Sequence, residues 1–418
     1  MPDPAPERPE PSRLAEVAGL FLKLGFTAFG GPAAHVALIE EEVVTRRRWV
    51  DRQHFLDMVS AVNFVPGPNS TELAIHLGFV RAGYPGLVAA GVCFIVPAVL
   101  IVLPLAWTYV TYGSIPAVGN ALVGVKACMV AIVVVALWRF ARTGIKDGFT
   151  AAVALLAIAA AALLHYFGVP QQELIVLATA AIAGLFWYGG KARTDPERTT
   201  SPAGGTANGS PRAMPLLVLP TAVGAAGFSG QMLQMALFFL KVGATLFGSG
   251  YVLASFLHTG LVEHHGWLTE RELLDAIAVG QVTPGPLLTA ATFVGYVLGA
   301  RNFGGGVGGG VAGGVVATLA IFLPSFLFIC VLGPLLPRLR ANPRARGALD
   351  GMNAAVVALI LVVSAWFARS VMWGPTGVDW LGVAIFAISL TLLLLTKVNA
   401  TWLILAAGLV GLAAHATR

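Results

Sequence analysis

The stretch Asn63-Phe64-Val65-Pro66-Gly67-Pro68-Asn69-Ser70-Thr71-Glu72 interrupts a long apolar segment, and it decides the fold of this chain. Two prolines around a glycine cannot lie inside an uninterrupted helix, because proline lacks the amide hydrogen and its ring clashes with the preceding turn. At membrane depth, a broken backbone is tolerated only where it faces protein or a water-filled cavity. The stretch therefore predicts a broken or re-entrant helix that contributes to a site.

The composition places this broken segment in a bilayer. Of the 418 residues, 57% are hydrophobic and 11% are charged, which is unlike a soluble protein. Apolar stretches of the roughly 20 residues needed to cross a membrane recur along the chain. We expect an all-α polytopic protein of the cytoplasmic (inner) membrane, without a cleaved signal peptide. The formal charge of +6 lies mostly in loop arginines, where it fixes topology, and we expect no nucleic-acid partner.

The chain contains two homologous halves. The motif at residues 21–30 recurs at residues 239–248, and the same offset of 218 carries Pro66-Gly67-Pro68 onto Pro284-Gly285-Pro286. Beyond these motifs the offset becomes 227, which pairs Pro97 with Pro324. The shift falls beside the glycine-rich run at residues 304–314, which predicts close helix packing.

Four units follow from this repeat. They are a polar N-terminal tail (1–13), an N-terminal transmembrane repeat (14–190), a flexible and cytoplasmic linker (191–213) and a C-terminal transmembrane repeat (214–418). Each repeat has six apolar segments, which in the first lie near residues 14–40, 55–80, 86–112, 117–142, 149–168 and 172–190.

Loop charges predict that the two halves have opposite orientations. Four arginines lie between residues 46 and 52, whereas the equivalent loop at residues 263–272 is rich in acids and histidines. Residues 113–119 are uncharged, but their counterpart carries four arginines between residues 338 and 346. Because cytoplasmic loops collect Lys and Arg, an inverted repeat explains this alternation. Inversion requires an odd number of crossings per half, so we expect the second segment of each half to be re-entrant, with ten crossings and an external N-terminus.

Helix breaks meeting near the midplane would suit an anion, because free amides and the positive ends of helix dipoles lie there. Side chains after Pro68 could cap the new helix or donate to a bound oxyanion. The glycines near residues 30 and 248 interrupt segment one of each half, either as packing kinks or as a second pair of breaks. The candidate substrate-binding residues are Lys23, Gly30, Gly31, Pro66, Gly67, Pro68, Asn69, Ser70, Thr71, Lys126, Lys241, Gly248, Ser249, Thr283, Pro284, Gly285 and Pro286.

The three lysines of this set are charges within apolar sequence, where they could attract a dianion or extend to the interface. Glu72 and His76 are four residues apart and share one helix face, so they could couple protons to transport or form a plain buried hydrogen bond. Their counterparts in the second half are Ala290 and Val294. The asymmetry favours the first half as the place of substrate and proton chemistry.

The sequence suggests neither a metal site nor a cofactor. Its three cysteines, Cys93, Cys128 and Cys330, are isolated in apolar segments, which is typical of small buried side chains. There is no phosphate-binding loop that would indicate ATP hydrolysis, and no catalytic motif that would indicate an enzyme.

Three motifs together resemble the chromate ion transporter family: residues 29–35, Phe-Gly-Gly-Pro-Ala-Ala-His; the acidic and arginine-rich run at residues 40–49; and residues 65–72. In the second half, residues 247–250, 267–270 and 283–286 resemble that family's second domain, so the likeness spans about residues 15–370.

This resemblance implies a proton-coupled secondary carrier, an antiporter, that exports chromate and gives chromate resistance. A carrier for sulfate or another oxyanion is the alternative within transport, and an anion channel is the alternative of another class. The expected partners are chromate or sulfate and the lipid bilayer, and the sequence allows a homodimer.

Overall fold

A computed structural model of the chain describes residues 12–191 and 230–416, apart from positions 30, 114–115, 170, 249, 303–304, 375–376 and 397. Most of the predicted linker (191–213) and the first eleven residues of the predicted N-terminal tail lie outside the described residues. The first half contains helices α1 (Arg13–Thr27), α2 (Pro32–Glu40), α3 (Arg52–Val62), α4 (Asn69–Tyr112), α5 (Pro116–Gly144), α6 (Gly148–Tyr166) and α7 (Gln172–Lys191). A π-helical turn, Glu41–Arg46, continues α2.

The second half repeats this order of elements. Its helices are α8 (Gly230–Thr245), α9 (Leu253–Leu257), α10 (Glu270–Val282), α11 (Ala290–Arg301), α12 (Gly306–Leu332), α13 (Leu336–Ala341), α14 (Pro343–Met372), α15 (Trp380–Leu395) and α16 (Ala400–Ala416). A π-helical turn, His258–His264, continues α9, and short 3-10 turns, Gly250–Val252 and Leu287–Thr289, precede α9 and α11. One two-residue pairing, Trp373–Gly374 with Gly377–Val378, is antiparallel β structure.

The chain is an all-α polytopic membrane protein, as its composition predicts. Among the described residues, α4, α5, α6, α12 and α14 are long and apolar enough to cross a membrane, and α7, α15 and α16 are shorter apolar helices. Side chains that would face lipid are large and apolar, for example Leu156 and Leu319. In lipid the helix satisfies its own backbone hydrogen bonds, which is why these segments adopt it.

Helix α4 contains a sharp turn that separates residues 69–81 from residues 84–112. Ala82 and Gly83 have non-helical backbone angles, and Gly83 has a φ of 63°, which favours glycine. The two parts fold back on each other, since a Cβ added to Gly78 would lie 2.3 Å from the carbonyl oxygen of Gly86. Residues 69–81 thus form a half-length helix that ends at this turn. Together with α3, which ends just before the Pro-Gly-Pro break, they make up the second apolar segment as a hairpin.

The first apolar segment also turns back. Arg81 pairs with Glu16 near the start of α1 at 2.6 Å, and its guanidinium lies 5.2 Å from the ring centre of Trp49, just after the π-helical turn. Both hairpins thus begin and end at one end of the helix bundle, which we call the arginine end and define by Arg13, Arg81 and the arginines at positions 46–52. The sequence predicts that the first segment crosses, whereas in the structure it turns back. The physical reason is its division into α1 and α2, which are each too short to span a bilayer. The predicted external N-terminus lies outside the described residues.

The hairpins of the second half begin and end at the other end of the bundle. We call it the histidine end and define it by His165, Glu263, His264 and His265, of which His165 lies 3.6 Å from Glu263. Arg301 at the end of α11 pairs with Glu272 at the start of α10. Helix α5 connects the two ends. Near its start, Gly119 lies beside Arg271 at the histidine end. Just past its last residue, Lys146 pairs with Asp350 at 2.5 Å at the arginine end. Four helices of each half cross the bundle among the described residues. The predicted total of ten crossings, with an odd number in each half, stays a prediction because residues 192–229 lie outside the described part of the chain.

The glycine-rich run packs as predicted. A Cβ on Gly313 would lie 2.2 Å from the carbonyl oxygen of Gly295, and a Cβ on Gly310 would lie 2.7 Å from the ring of Tyr296. Helices α11 and α12 therefore approach within backbone contact. The prediction of close helix packing at residues 304–314 is confirmed for Gly310, Gly313 and Gly314, whereas a Cβ on Gly305, Gly306 or Gly308 would have no described neighbour within 4 Å.

Candidate functional site

Helix breaks from the two halves meet at the centre of the bundle. The Gly67 amide donates a hydrogen bond to the Leu246 carbonyl at 2.6 Å, and the Gly285 amide donates to the Ala28 carbonyl at 2.9 Å. The offset of 218 residues relates Gly67 to Gly285 and Ala28 to Leu246. Each Pro-Gly-Pro break is therefore bonded to the segment-one break of the other half, and the two bonds are equivalent.

Residues after Pro68 begin a helix without capping it through their side chains. The Asn69 amide group donates to Asn63 Oδ1 at 2.6 Å, and Ser70 Oγ lies 3.3 Å from His35 Nδ1. The backbone amides of Thr71 and Glu72 donate to the Pro68 carbonyl. The sequence leaves open whether these side chains cap the helix or donate to an oxyanion. In the structure they do not cap it.

Three buried polar atoms at the start of α4 have no hydrogen-bond partner among the described residues. They are Thr71 Oγ1, Glu72 Oε2 and His76 Nδ1. An unpartnered polar group within protein costs about 1–3 kcal/mol, so such groups usually serve water, a proton or a ligand. Glu72 and His76 lie one helical turn apart on the same face. Their arrangement makes the first two turns of α4 the candidate site.

The Glu72 carboxyl is fully buried between Gly67 and helix α12. Ser325 Oγ donates to Glu72 Oε1 at 3.4 Å. A Cβ on Gly67 would lie 2.1 Å from Glu72 Oε1 and 2.4 Å from Ser325 Oγ, and Gly67 has a φ of 138°. Only glycine therefore combines this backbone conformation with space for the carboxyl.

His35 connects the two hairpins of the first half. Its ring is buried, lies beside Ser70 and packs edge-on against Phe94, with ring centres 5.9 Å apart. The sequence favours a structural role for this lone histidine, which is not among the candidate residues. Its contact with Ser70 places it against the candidate site.

The three candidate lysines lie in three different surroundings. Lys23 pairs with Glu42 at 2.6 Å and is half exposed at the arginine end. The hydrogen bond from Lys23 lowers the pKa of the Glu42 carboxyl, although burial acts in the opposite direction. Lys126 is buried and lies 2.8 Å from Asp275 Oδ1, while Tyr109 donates to Asp275 Oδ2 at 2.9 Å. Lys241 lines a cavity at the histidine end.

The remaining candidates occupy the breaks themselves. Gly31 has a φ of 83° and Gly248 a φ of 84°, and Gly248 packs against Val356. The Thr283 hydroxyl donates back to the Val279 carbonyl at the end of α10, so it is engaged within its own helix. Pro66, Pro284 and Pro286 lie in the breaks. Gly30 and Ser249 lie outside the described residues.

Sequence reasoning misses Ser325 and Asp275. Ser325 lies 253 residues from Glu72, and nothing in the spacing pairs them. Asp275 is visible in the sequence only as the counterpart of Asp57 in the repeat, and that match does not reveal its position facing Lys126. A buried acid in an apolar helix is the one available signal.

Comparison with known proteins supports the interpretation of these motifs. The sequence model described as chromate transporter matches residues 15–185 and 233–412, which is most of the chain in two segments. The chain belongs to the chromate transporter family. The resemblance predicted from the broken segments is thereby confirmed, and both breaks of the candidate site lie within the matched residues. No solved structure matches the chain.

Three relatives show how far the similarity extends. A probable chromate transport protein from Synechococcus elongatus is 30% identical over 83% of this chain and 82% of its own length. The chromate transport proteins of Cupriavidus metallidurans and Pseudomonas aeruginosa are 28% and 31% identical, over 96% of this chain and 93% of their lengths.

Proposed function

We propose that this protein is a secondary transporter that exports chromate across the cytoplasmic membrane, with protons coupled through Glu72, and thereby gives chromate resistance. The observation that carries the proposal is the group of unpartnered buried atoms on Thr71, Glu72 and His76 at a helix break. The names of the relatives supply the substrate, and a tetrahedral dianion suits a helix start with hydroxyl donors.

The arrangement of the two halves supports a carrier rather than a channel. Hairpins of the first half open at the arginine end and those of the second half at the histidine end, as in an inverted repeat. The positive-inside rule assigns the arginine end to the cytoplasm. The reciprocal bonds of Gly67 and Gly285 join two hairpin pairs that can exchange roles, which is what alternating access requires.

Glu72 links the proton to the anion through charge. An ionised carboxylate beside the α4 start would repel a dianion, so the site accepts chromate when Glu72 is protonated. The membrane potential, at about 2.3 kcal/mol per elementary charge per 100 mV, favours the outward movement of a dianion. No phosphate-binding loop is present in the sequence, so the membrane potential is the proposed energy source. A proton that binds with the dianion leaves with it, and the pair still carries one negative charge outward, which the potential favours.

The test is chromate counterflow into proteoliposomes containing the purified protein, at several pH values and with sulfate as competitor. We expect the wild type to transport chromate with a rate that depends on pH. The Glu72→Gln variant should still transport but lose that pH dependence, because glutamine resembles the protonated carboxyl. Glu16→Gln, a change at the arginine end, is the matched control and should keep the wild-type profile.

Three results would overturn parts of the proposal. Absence of chromate flux in the wild type would remove the substrate assignment, and a Glu72→Gln variant with an unchanged pH profile would remove the coupling role. Stronger counterflow with labelled sulfate than with chromate would establish the alternative, a sulfate carrier.

A further inference from the structure

A cavity whose lining is mostly apolar but includes a lysine and two histidines lies at the histidine end, apart from the candidate site. Its volume is about 170 Å³, and its lining includes Lys241, Thr259, Gly260, His264 and His265. An adjacent cavity of about 180 Å³ shares Thr259 and His264 with it. Since a liquid water occupies about 30 Å³, the first cavity has room for one tetrahedral oxyanion and some water.

The equivalent place in the first half is filled by an ion cluster. Glu42 Oε1 lies 2.6 Å from Lys23 and 3.3 Å from Arg46, and Glu42 Oε2 lies 3.3 Å from Arg47. One buried carboxylate is thus the shared ion-pair partner of three cations. In the first half this place is taken by the side chain of Glu42, so the lysine and the arginines there bind an acid of the protein itself.

The second half keeps the lysine but lacks this carboxylate. The offset of 218 carries Lys23 onto Lys241, Glu42 onto Gly260, Arg46 onto His264 and Arg47 onto His265. Within the described part of the chain, no carboxylate pairs with Lys241, whose ammonium lies 5.6 Å from the ring centre of Phe238. In the second half the duplicated cluster is replaced by a cavity lined by Lys241 and two histidines.

The acids facing this cavity are engaged by other groups. Glu173 of α7 accepts hydrogen bonds from Thr259 at 2.6 Å and Ser255 at 3.2 Å. Glu263 lies 3.2 Å from His258 and 3.6 Å from His165. The titratable and charged groups facing the cavity from the surrounding elements are Lys241, Glu173, His165, His258, Glu263, His264, His265 and Glu270.

We propose that this cavity is an anion-binding vestibule, in which Lys241, His264 and His265 hold the transported oxyanion at the histidine end. With neutral histidines the three acids facing the cavity outweigh Lys241, and protonation of histidines adds the positive charge that favours an anion. Anion binding there therefore strengthens at low pH. Burial, together with the charges of His264 and Lys241, lowers the pKa of His265, so its contribution comes below the ordinary histidine range. The inference rests on the proposed function for the identity of the anion, but the binding site itself can be tested separately.

The experiment measures equilibrium binding of labelled sulfate, a redox-inert tetrahedral dianion, to the purified full-length protein at about pH 5.5 and about pH 7.5. We expect Lys241→Gln to weaken binding at the lower pH about tenfold or more, and Lys241→Arg to preserve it. In the Glu72→Gln background, where the candidate site is expected to contribute no pH dependence, His264→Gln combined with His265→Gln should remove most of the dependence that remains. Size-exclusion profiles and melting temperatures establish that each variant is folded.

Matched controls come from the first half. Arg46→Gln changes the counterpart of His264, and Lys146→Gln removes a paired lysine at the arginine end; neither should alter sulfate affinity more than twofold. Equal losses in Lys241→Gln and Lys146→Gln, or no pH-dependent sulfate binding by the wild type, would overturn the vestibule. If chromate is transported but sulfate binding does not depend on Lys241, the proposed function holds and the vestibule is wrong. If binding depends on Lys241 but chromate is not transported, the vestibule holds and the proposed function is wrong.

Discussion

The two Pro-Gly-Pro breaks share a backbone device but differ in chemistry. At the first break, Ser70 contacts His35 and Glu72 contacts Ser325. At the second break the equivalent positions are Leu288, Leu253, Ala290 and Ala98, all buried and apolar. The duplication has kept what bends and joins the chain, namely the prolines, the glycine and the reciprocal hydrogen bonds. It has let the side chains diverge, so the polar site belongs to one half.

The buried acids of the two hairpin pairs differ in a second way. Among the described residues, Glu72 Oε2 has neither a hydrogen-bond donor nor a cation beside it. Asp275 Oδ1 likewise accepts no well-aligned hydrogen bond from these residues, but it lies 2.8 Å from the Lys126 ammonium, and Tyr109 donates to Asp275 Oδ2. An acid held by both a cation and a hydroxyl stabilises a packing arrangement, and an acid with a free oxygen is available for protonation. The first hairpin pair is thus suited to chemistry and the second to holding α5 and α10 together.

The largest expected effect is the loss of the Lys126–Asp275 pair. Asp275→Asn leaves the Lys126 ammonium buried without a counter-ion, and breaking a buried pair costs about 3–5 kcal/mol. We expect a large drop in the melting temperature of the purified protein and in its yield. Asp57→Asn, at the equivalent and partly exposed position in α3, should change stability by no more than about 0.5 kcal/mol.

Replacing both members of this pair separates charge from packing. Lys126→Met combined with Asp275→Leu should recover much of the stability lost by Asp275→Asn alone, because no charge then remains unpaired. Comparable melting temperatures for Asp275→Asn and Asp57→Asn would show that the two acids are equivalent and that the comparison of the halves is wrong.

The next effect distinguishes the two breaks. Gly67→Ala and Gly285→Ala both introduce a side chain at positive φ, 138° and 91°, which costs about 1–3 kcal/mol each. The alanine at position 67 would also strike Glu72 and Ser325, whereas at position 285 its nearest atom is Ala98 Cβ at 3.0 Å. We expect both variants to melt at lower temperature, but only Gly67→Ala to lose chromate transport beyond its loss of folded protein. Equal transport per folded molecule would contradict a special role for the first break.

Much of this fold is predictable from sequence because its determinants are local. The Pro-Gly-Pro runs specify breaks, the repeat at offset 218 specifies two halves, and the composition specifies a bilayer. The turn in segment one is harder to predict, because α1 and α2 together have the length of one membrane-spanning helix. Apolar length alone cannot distinguish a crossing from two half-length helices.

The site is less predictable because its partners are distant in sequence. Glu72, Thr71 and His76 lie within two turns and can be recognised together, but Ser325 and Asp275 acquire their roles only through packing with the other half. The lysines illustrate the same limit. All three are alike in sequence as cations in apolar segments. Only the tertiary structure shows that Lys23 forms a half-exposed ion pair, that Lys126 forms a buried one and that Lys241 lines a cavity.

The smallest expected effect tests the contact between Ser325 and Glu72 at the first break. Ser325→Ala removes the hydroxyl that donates to Glu72, and an ordinary hydrogen bond contributes about 0.5–1.5 kcal/mol. We expect up to a tenfold change in chromate transport and a displaced pH profile, since Ser325 interacts with the group proposed to carry the proton. Ala98→Ser makes the reciprocal change at the second break, where no acid is present, so the pH profile should keep its position. If both variants displace the pH profile of transport equally, the Ser325 hydroxyl acts through packing and not through its hydrogen bond to Glu72. The difference between the two breaks would then be due to Glu72 itself.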